Sequence, residues 1–200
     1  GWVRFAANVD IAGWEEQSAA LRSGLPRWLQ CVGEHDVLRF MRQMVDGINM
    51  TQLYIKVPGV WTGGHEESCR FRSINCCHGP GASEWGAIEG KYAPRLRELV
   101  LQEYGVDIYR SEGEWFPDPE WLRHKGIPAA YGIQRAGDVV VLRGDTLHWV
   151  RSLGFSVSSS WNFGHLEARQ LEAAFDRYDL NCHLQPPVQN LVPVRTLSVD

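Results

Sequence analysis

A mainly β fold, a sandwich or barrel with flanking helices, is what this sequence predicts, on three observations. Between residues 131 and 163, four short stretches of β-rich or alternating character (131–134, 138–142, 147–151 and 155–163) are separated only by RAGD, RGDT and SLG. Short strands joined by such tight turns build sandwiches and barrels. Helical spacing of apolar residues is confined to a few segments around them. The 200 residues fit one domain, which buries roughly 70% of the surface its unfolded chain exposes.

In chain order, helical spacing appears first at 14–21 and 37–45, punctuated by Gly24, Pro26 and Gly33, so residues 1–50 are expected to form a helical layer of the same domain. From Thr51 the period changes to two. Leu53, Ile55 and Val57 face one way and Tyr54 and Lys56 the other, until Pro58-Gly59 ends the strand. A second extended stretch is expected over 69–77, then a turn at HGPG (78–81) and a short strand over 84–88. PRLRELVLQEY (94–104) has a proline suited to a first helical turn, and Asp118-Pro119 reads as the N-cap and first residue of a short helix. Both lie in a helical insertion around 94–125 of a β-barrel core spanning 51–164. An amphipathic helix over 167–178 and a proline-rich tail make up 165–200. Trp28, Trp85, Trp121 and Trp161 are expected in the core, Trp61 at a pocket rim, and Ser158-Ser159-Ser160 at a strand edge.

Composition narrows the function classes. The net charge is −4 with a pI near 6.0, and the 20 basic residues are scattered, so no nucleic-acid footprint is present. Five cysteines contain no C-x-x-C pair and leave one unmatched in any disulfide scheme, which fits a reducing compartment and argues against a zinc knot. No apolar run reaches the ~20 residues of a membrane span. The opening GWVRFAANVD lacks a signal-peptide layout and reads as the start of an excised fragment. A soluble, intracellular protein without a membrane partner is expected.

Seven histidines and 24 acidic residues in 200 positions produce about one H-x-[D/E] triplet by chance, and this chain has two, His65-Glu66-Glu67 and His165-Leu166-Glu167. Geometry separates them. Positions i and i+2 share a face in an extended chain and lie about 200° apart on a helix. His65 and Glu67 fall where loop becomes strand and converge; His165 and Glu167 open a helix and are expected to diverge. If extended geometry continues from 65, Ser73 and Asn75 share the face of His65 and Glu67. A non-haem Fe(II) site needs two histidines and one carboxylate on one side of the ion, and His148, on a late strand between Leu147 and Trp149, is the best third ligand. Lys56 would give a dicarboxylate cosubstrate the fixed cation its far end needs.

The segments TQLYIKVPGVWTGGHEE, GPGASEW, IQRAGDVVVLRGDTLHWV and SSWNFG resemble the JmjC-domain oxygenases, in particular the branch of histone lysine demethylases that removes the Polycomb methyl mark from histone H3. The resemblance runs from about Thr51 to the end. It implies a double-stranded β-helix core, of the jelly-roll or cupin kind, holding Fe(II) and 2-oxoglutarate. By position, His65, Glu67 and His148 match the iron ligands. Tyr54, Lys56, Thr62, Ser73 and Asn75 match positions around 2-oxoglutarate and the methylammonium mouth, with Lys56 and Thr62 on the distal carboxylate and Tyr54 beside the reacting group. Arg143-Gly144-Asp145 stands where the family has an Asn-Ala-Gly-like turn, bringing two charges to the pocket rim. The cysteine-ligated zinc module that follows the catalytic domain in this branch has no counterpart in these residues.

The implied reaction consumes molecular oxygen and 2-oxoglutarate, yields succinate and releases formaldehyde from a methyl-lysine, with a methylated histone tail as protein partner and the nucleus as its place. A JmjC protein hydroxylase would use the same ligands. A non-catalytic JmjC-like binding or scaffold module, or a zinc-dependent barrel hydrolase, is also compatible with parts of the pattern; the hydrolase would not need Lys56.

Overall fold

A computed structural model describes residues 6–11, 13–111, 113–184, 186–189 and 192–197. In chain order its strands are β1 (Ala6–Val9), β2 (Gln52–Lys56), β3 (Trp61–His65), β4 (Arg72–Pro80), β5 (Ser83–Glu89), β6 (Ala130–Gln134), β7 (Val139–Leu142), β8 (Thr146–Ser152) and β9 (Ser156–Phe163). Its helices are α1 (Glu15–Gly24), α2 (Ala93–Tyr104), α3 (Pro119–His124), α4 (Ala168–His183) and α5 (Val194–Leu197). Every strand pairing is antiparallel, in sheets ordered β1-β2-β9-β4-β7 and β3-β8-β5-β6. Two four-stranded sheets, with β1 added at one edge, make the jelly roll that the resemblance implies.

The period-two pattern sorts side chains in an unusual way. On β2, β4 and β9 the residues in register are Gln52, Tyr54 and Lys56 with Ser160, Ser158 and Ser156, and Ser73 and Asn75 with Asn162 and Ser160. Directly paired residues share a face, so this face is polar, and it is turned into the roll. The opposite face carries Ile74, Cys76, Trp161 and Phe163 and is covered by Leu29 and the α1 residues Leu21 and the neighbouring Leu25. The outer face of the smaller sheet, with Ile88, Leu147 and Trp149, is buried against Leu96 and Val100 of α2 and Leu122 of α3. The apolar cores thus lie outside the barrel and the polar groups within it.

Local chemistry sets the helices. Pro94 opens α2 and Gly105 closes it in the left-handed region (φ 70°). Asp118 caps α3 by accepting from Glu120 N at 2.9 Å.

Several expectations are corrected. The helix anticipated over 37–45 shrinks to a 3-10 turn, Val37–Phe40. The Asn49 amide takes the backbone beyond it, Oδ1 accepting from Val45 N (2.7 Å) and Nδ2 donating to Gln43 O (3.0 Å), a local alternative to helix. The strand β1 was not anticipated. The extended stretch over 69–77 is broken by a 3-10 turn, Ser68–Arg70, with Cys69 and Arg70 both at φ 52°; β4 therefore starts afresh in the other sheet. Ser158-Ser159-Ser160 belongs to β9, the central strand of its sheet. Trp28 is 60% exposed, whereas Trp85 and Trp161 are buried. Trp161 Nε1 donates to Leu29 O at 3.0 Å, which satisfies its one polar atom.

Candidate metal centre

β3 and β8 bring His65 and His148 opposite each other, and the register slips between Thr62 and His65. That bulge sets both Thr62, opposite Val150, and His65, opposite His148, on the inner face although an odd number of steps separates them. Gly63 and Gly64 make the bulge possible. The loop at 113–115 lies against them, with Gly64 N donating to Trp115 O at 2.7 Å, and a Cβ on Gly63 would collide with the Gly113 carbonyl. Glu67 follows in extended conformation (φ −66°, ψ 156°).

His65, Glu67 and His148 each offer a donor atom, and these atoms lie within 4.8 Å of one another. His148 Nε2 sits 3.4 Å from Glu67 Oε1, and the two imidazole centroids are 4.2 Å apart. Each ring is fixed the same way, with Nδ1 toward the carbonyl two residues earlier: Gly63 O at 2.8 Å for His65 and Thr146 O at 3.4 Å for His148. This selects the tautomer whose Nε2 lone pair points inward. Trp85 stacks on His148 (5.9 Å, 18°) and is itself held by Gln134, which accepts from Trp85 Nε1 at 2.9 Å.

The electrostatics prepare a neutral His65 and a charged Glu67. Burial, with help from His148, pushes His65 down to about 4. Burial alone would raise Glu67, yet the hydrogen bond and charge of His148, with His65 and Asn162, outweigh it and hold the carboxyl at about 2. The donor set of two imidazoles and one carboxylate fits a divalent first-row metal with open positions.

The other predicted residues fall as follows. Lys56 is buried (5% exposed) on the inner face of β2, its Nζ 5.2 Å from the Tyr54 ring. Burial lowers its ammonium to about 8, against an opposing pull from Cys77. Tyr54 accepts a short hydrogen bond from Gln52 Nε2 and lines an open cleft of about 400 Å³ with His65, Glu67, Ser68 and Pro187–Gln189. Burial raises the Tyr54 phenol. Ser73 and Asn75 are buried on the facing sheet, not on a continuous face with His65. Asn75 Oδ1 accepts from Gln134 Nε2 at 3.2 Å, so its amide N–H groups are the donors it has to offer. Thr62 is half-buried on the inner face beside Val150. Trp61 is 48% exposed, edge-on to Phe116.

Three features escaped the sequence reading. Asn162 Nδ2 donates to Glu67 Oε2 at 2.9 Å; its parity with Ser158 and Ser160 was the available signal. Glu66, between His65 and Glu67, points into the protein toward Arg70 (3.2 Å) and the fully buried Arg177 (3.5 Å). Asp145, expected as a rim charge, pairs with the same Arg70 at 3.4 Å and donates its N–H to Arg70 O at 3.1 Å. The motif's middle residue thus ties the turn at 65–67 to α4 and, through Arg70, to the loop leading into β8.

Comparison with known proteins agrees with this architecture. A family model described as JmjC domain, hydroxylase, matches residues 52–163. Human Lysine-specific demethylase 6B is 34% identical over 182 residues, covering 90% of this chain and 11% of the human protein. Lysine-specific demethylase jmjd-3.1 of Caenorhabditis elegans is 30% identical over 197 residues, 96% of this chain and 18% of its own length. Lysine-specific demethylase ELF6 of Arabidopsis thaliana is 27% identical over 204 residues, 96% and 15% respectively. The chain therefore spans between a tenth and a fifth of the length of these relatives. Among the described residues, no helix is long and apolar enough to cross a membrane.

Proposed function

The chain belongs to the JmjC domain family, and on that premise we propose that it is the catalytic domain of an Fe(II)- and 2-oxoglutarate-dependent dioxygenase that demethylates lysine in a histone tail. The observation that carries the reading is the convergence of His65, Glu67 and His148 inside a roll whose facing strand holds the buried Lys56.

In this reading His65 and His148 hold Fe(II) through Nε2 and Glu67 through a carboxylate oxygen. Lys56 and Thr62 grip the distal carboxylate of 2-oxoglutarate, Ser73 and Asn75 flank it, and Tyr54 lies at the methylammonium mouth. When bound, ion and cosubstrate would supply, with one molecule of dioxygen, oxidative decarboxylation to succinate and carbon dioxide coupled to hydroxylation of an N-methyl carbon, which then leaves as formaldehyde. The protein's share is arrangement. The two Nδ1 contacts turn each Nε2 toward the ion, and Asn162 orients Glu67. A zinc hydrolase would have no use for a cation buried at the position of Lys56.

The names of the relatives support methyl-lysine as the substrate, and a nuclear place of action follows from it. The family description also carries the word hydroxylase, and hydroxylation of an ordinary side-chain carbon would use the same residues. Turnover of methylated histone-tail peptides by purified protein separates the two. Formaldehyde and loss of one methyl mass per succinate are expected; succinate with a stable gain of one oxygen in the peptide would replace demethylation by hydroxylation. A wild-type protein that turns over no 2-oxoglutarate with any peptide would leave only a binding module.

A further inference from the structure

The segment after α4 returns to the ligand-bearing turn. Asn181, buried on α4, holds it with a single amide: Oδ1 accepts from Val188 N (2.9 Å) and Gln189 N (3.0 Å), and Nδ2 donates to Gln189 O (2.8 Å). From that anchored position the Gln189 side chain reaches across, Nε2 lying 3.0 Å from Glu66 O and 3.4 Å from Glu67 O. Successive carbonyls of a regular strand point in opposite directions. Here two of them converge on one amide, because the chain at Glu67 (φ −66°, ψ 156°) has left strand geometry for a polyproline-like one. Glu67 O also accepts from Arg70 N at 2.8 Å in the following turn, so the shorter of the two Gln189 contacts, to Glu66 O, is the one that adds a donor from outside the turn.

We propose that Gln189 is a positioning residue of the metal centre, locking the two peptide planes around Glu67 so that His65 and Glu67 present their donors to one point. The inference rests on the metal-centre reading above. Glu67 is then constrained from two directions: Asn162 fixes its carboxylate and Gln189 its backbone. The bonds of Gln189 Nε2 are to backbone carbonyls, so its effect is transmitted through the turn, and outer partners of this kind alter metal affinity about 10- to 100-fold.

The test uses Co(II) alone as the probe, titrated into the metal-free 200-residue chain and followed by its visible absorption. Gln189→Met keeps the side-chain length and removes the donor; Gln189→Glu keeps the shape and sets an acceptor against two carbonyls. Each is expected to weaken Co(II) binding by about tenfold or more and to change the band shape, with the metal-free melting temperature unmoved. Should Gln189→Met fail to fold, Gln189→Glu carries the same test. Equal affinity and an identical band in the variants would overturn the proposal and leave the metal centre standing. So would a lowered metal-free melting temperature with an unaltered band, which marks a mere brace. Absence of Co(II) binding by the wild-type chain would instead bring down the metal-centre reading, and this inference with it.

Discussion

The chain carries two His-x-Glu triplets, and only one has the makings of a metal site. At 65–67, His65 and Glu67 are turned into the roll, a second histidine faces them from β8, and Asn162 holds the carboxylate. At 165–167 the histidine and glutamate also come within 3.6 Å, contrary to the expected divergence, because Glu167 precedes α4 in extended conformation (φ −137°). There they are 39% and 46% exposed, and Glu167 pairs with Arg72. Spacing and even proximity are therefore shared. What differs is a third converging donor, a burial that holds His65 neutral, and the contacts from His148, His65 and Asn162 that keep Glu67 charged against that burial.

The comparison breaks most sharply on substitution of the histidines. His148→Ala is expected to abolish Fe(II) binding and turnover while the fold persists, and His165→Ala to leave both within about twofold, as removal of an exposed pair costs about 0–1 kcal/mol. Metal titration and succinate release check both, and retained metal binding in His148→Ala would reassign the third ligand. Next in size is Lys56→Ala, expected to raise the 2-oxoglutarate requirement about 30-fold through loss of about 2 kcal/mol of charge-assisted contact. Because burial lowers the wild-type ammonium to about 8, cosubstrate affinity should hold below that pH and fall about tenfold per unit above it. Lys56→Ala should lack that decline.

A test of stability alone sharpens the second triplet. Asp36 is buried beside it, accepting from Gly164 N at 2.9 Å and Leu38 N at 3.0 Å, and burial raises its carboxyl to about 6 against the pull of those bonds. A folded-state value above the unfolded 3.8 means the folded chain holds a proton that the unfolded chain has released. Stability from this group is complete below about 4 and lost as pH rises through about 6, by up to about 3 kcal/mol. The difference between wild-type and Asp36→Asn urea midpoints from pH 4 to 7 should follow that curve, and a flat difference would remove Asp36 from the account.

Much of the site was legible because strands translate parity into geometry. Lys56 and Tyr54 opposite Leu53 and Ile55, and His148 between Leu147 and Trp149, needed only the two-residue period. Ser73 and Asn75 were reached by a route that fails: Cys69 and Arg70 turn the chain in the left-handed region and hand β4 to the other sheet, and nothing in CRF announces that turn. Trp28 was misassigned because hydrophobicity alone cannot say which face of a short 3-10 turn is covered. Gln189 and Arg177 lay beyond reach for another reason. Their partners are more than a hundred residues away, and no local period encodes such a contact.

The pairing of Glu66 with Arg177 sets a lower bound on the piece of polypeptide that can work. The family match ends at 163, yet the carboxylate wedged between His65 and Glu67 has a counter-charge on α4 with no solvent exposure. Without α4, Glu66 keeps only Arg70 at 3.2 Å and the turn loses its tie to the helix. A chain trimmed at the boundary of the match would keep His65, Glu67 and His148 and lose the rigidity that aims them.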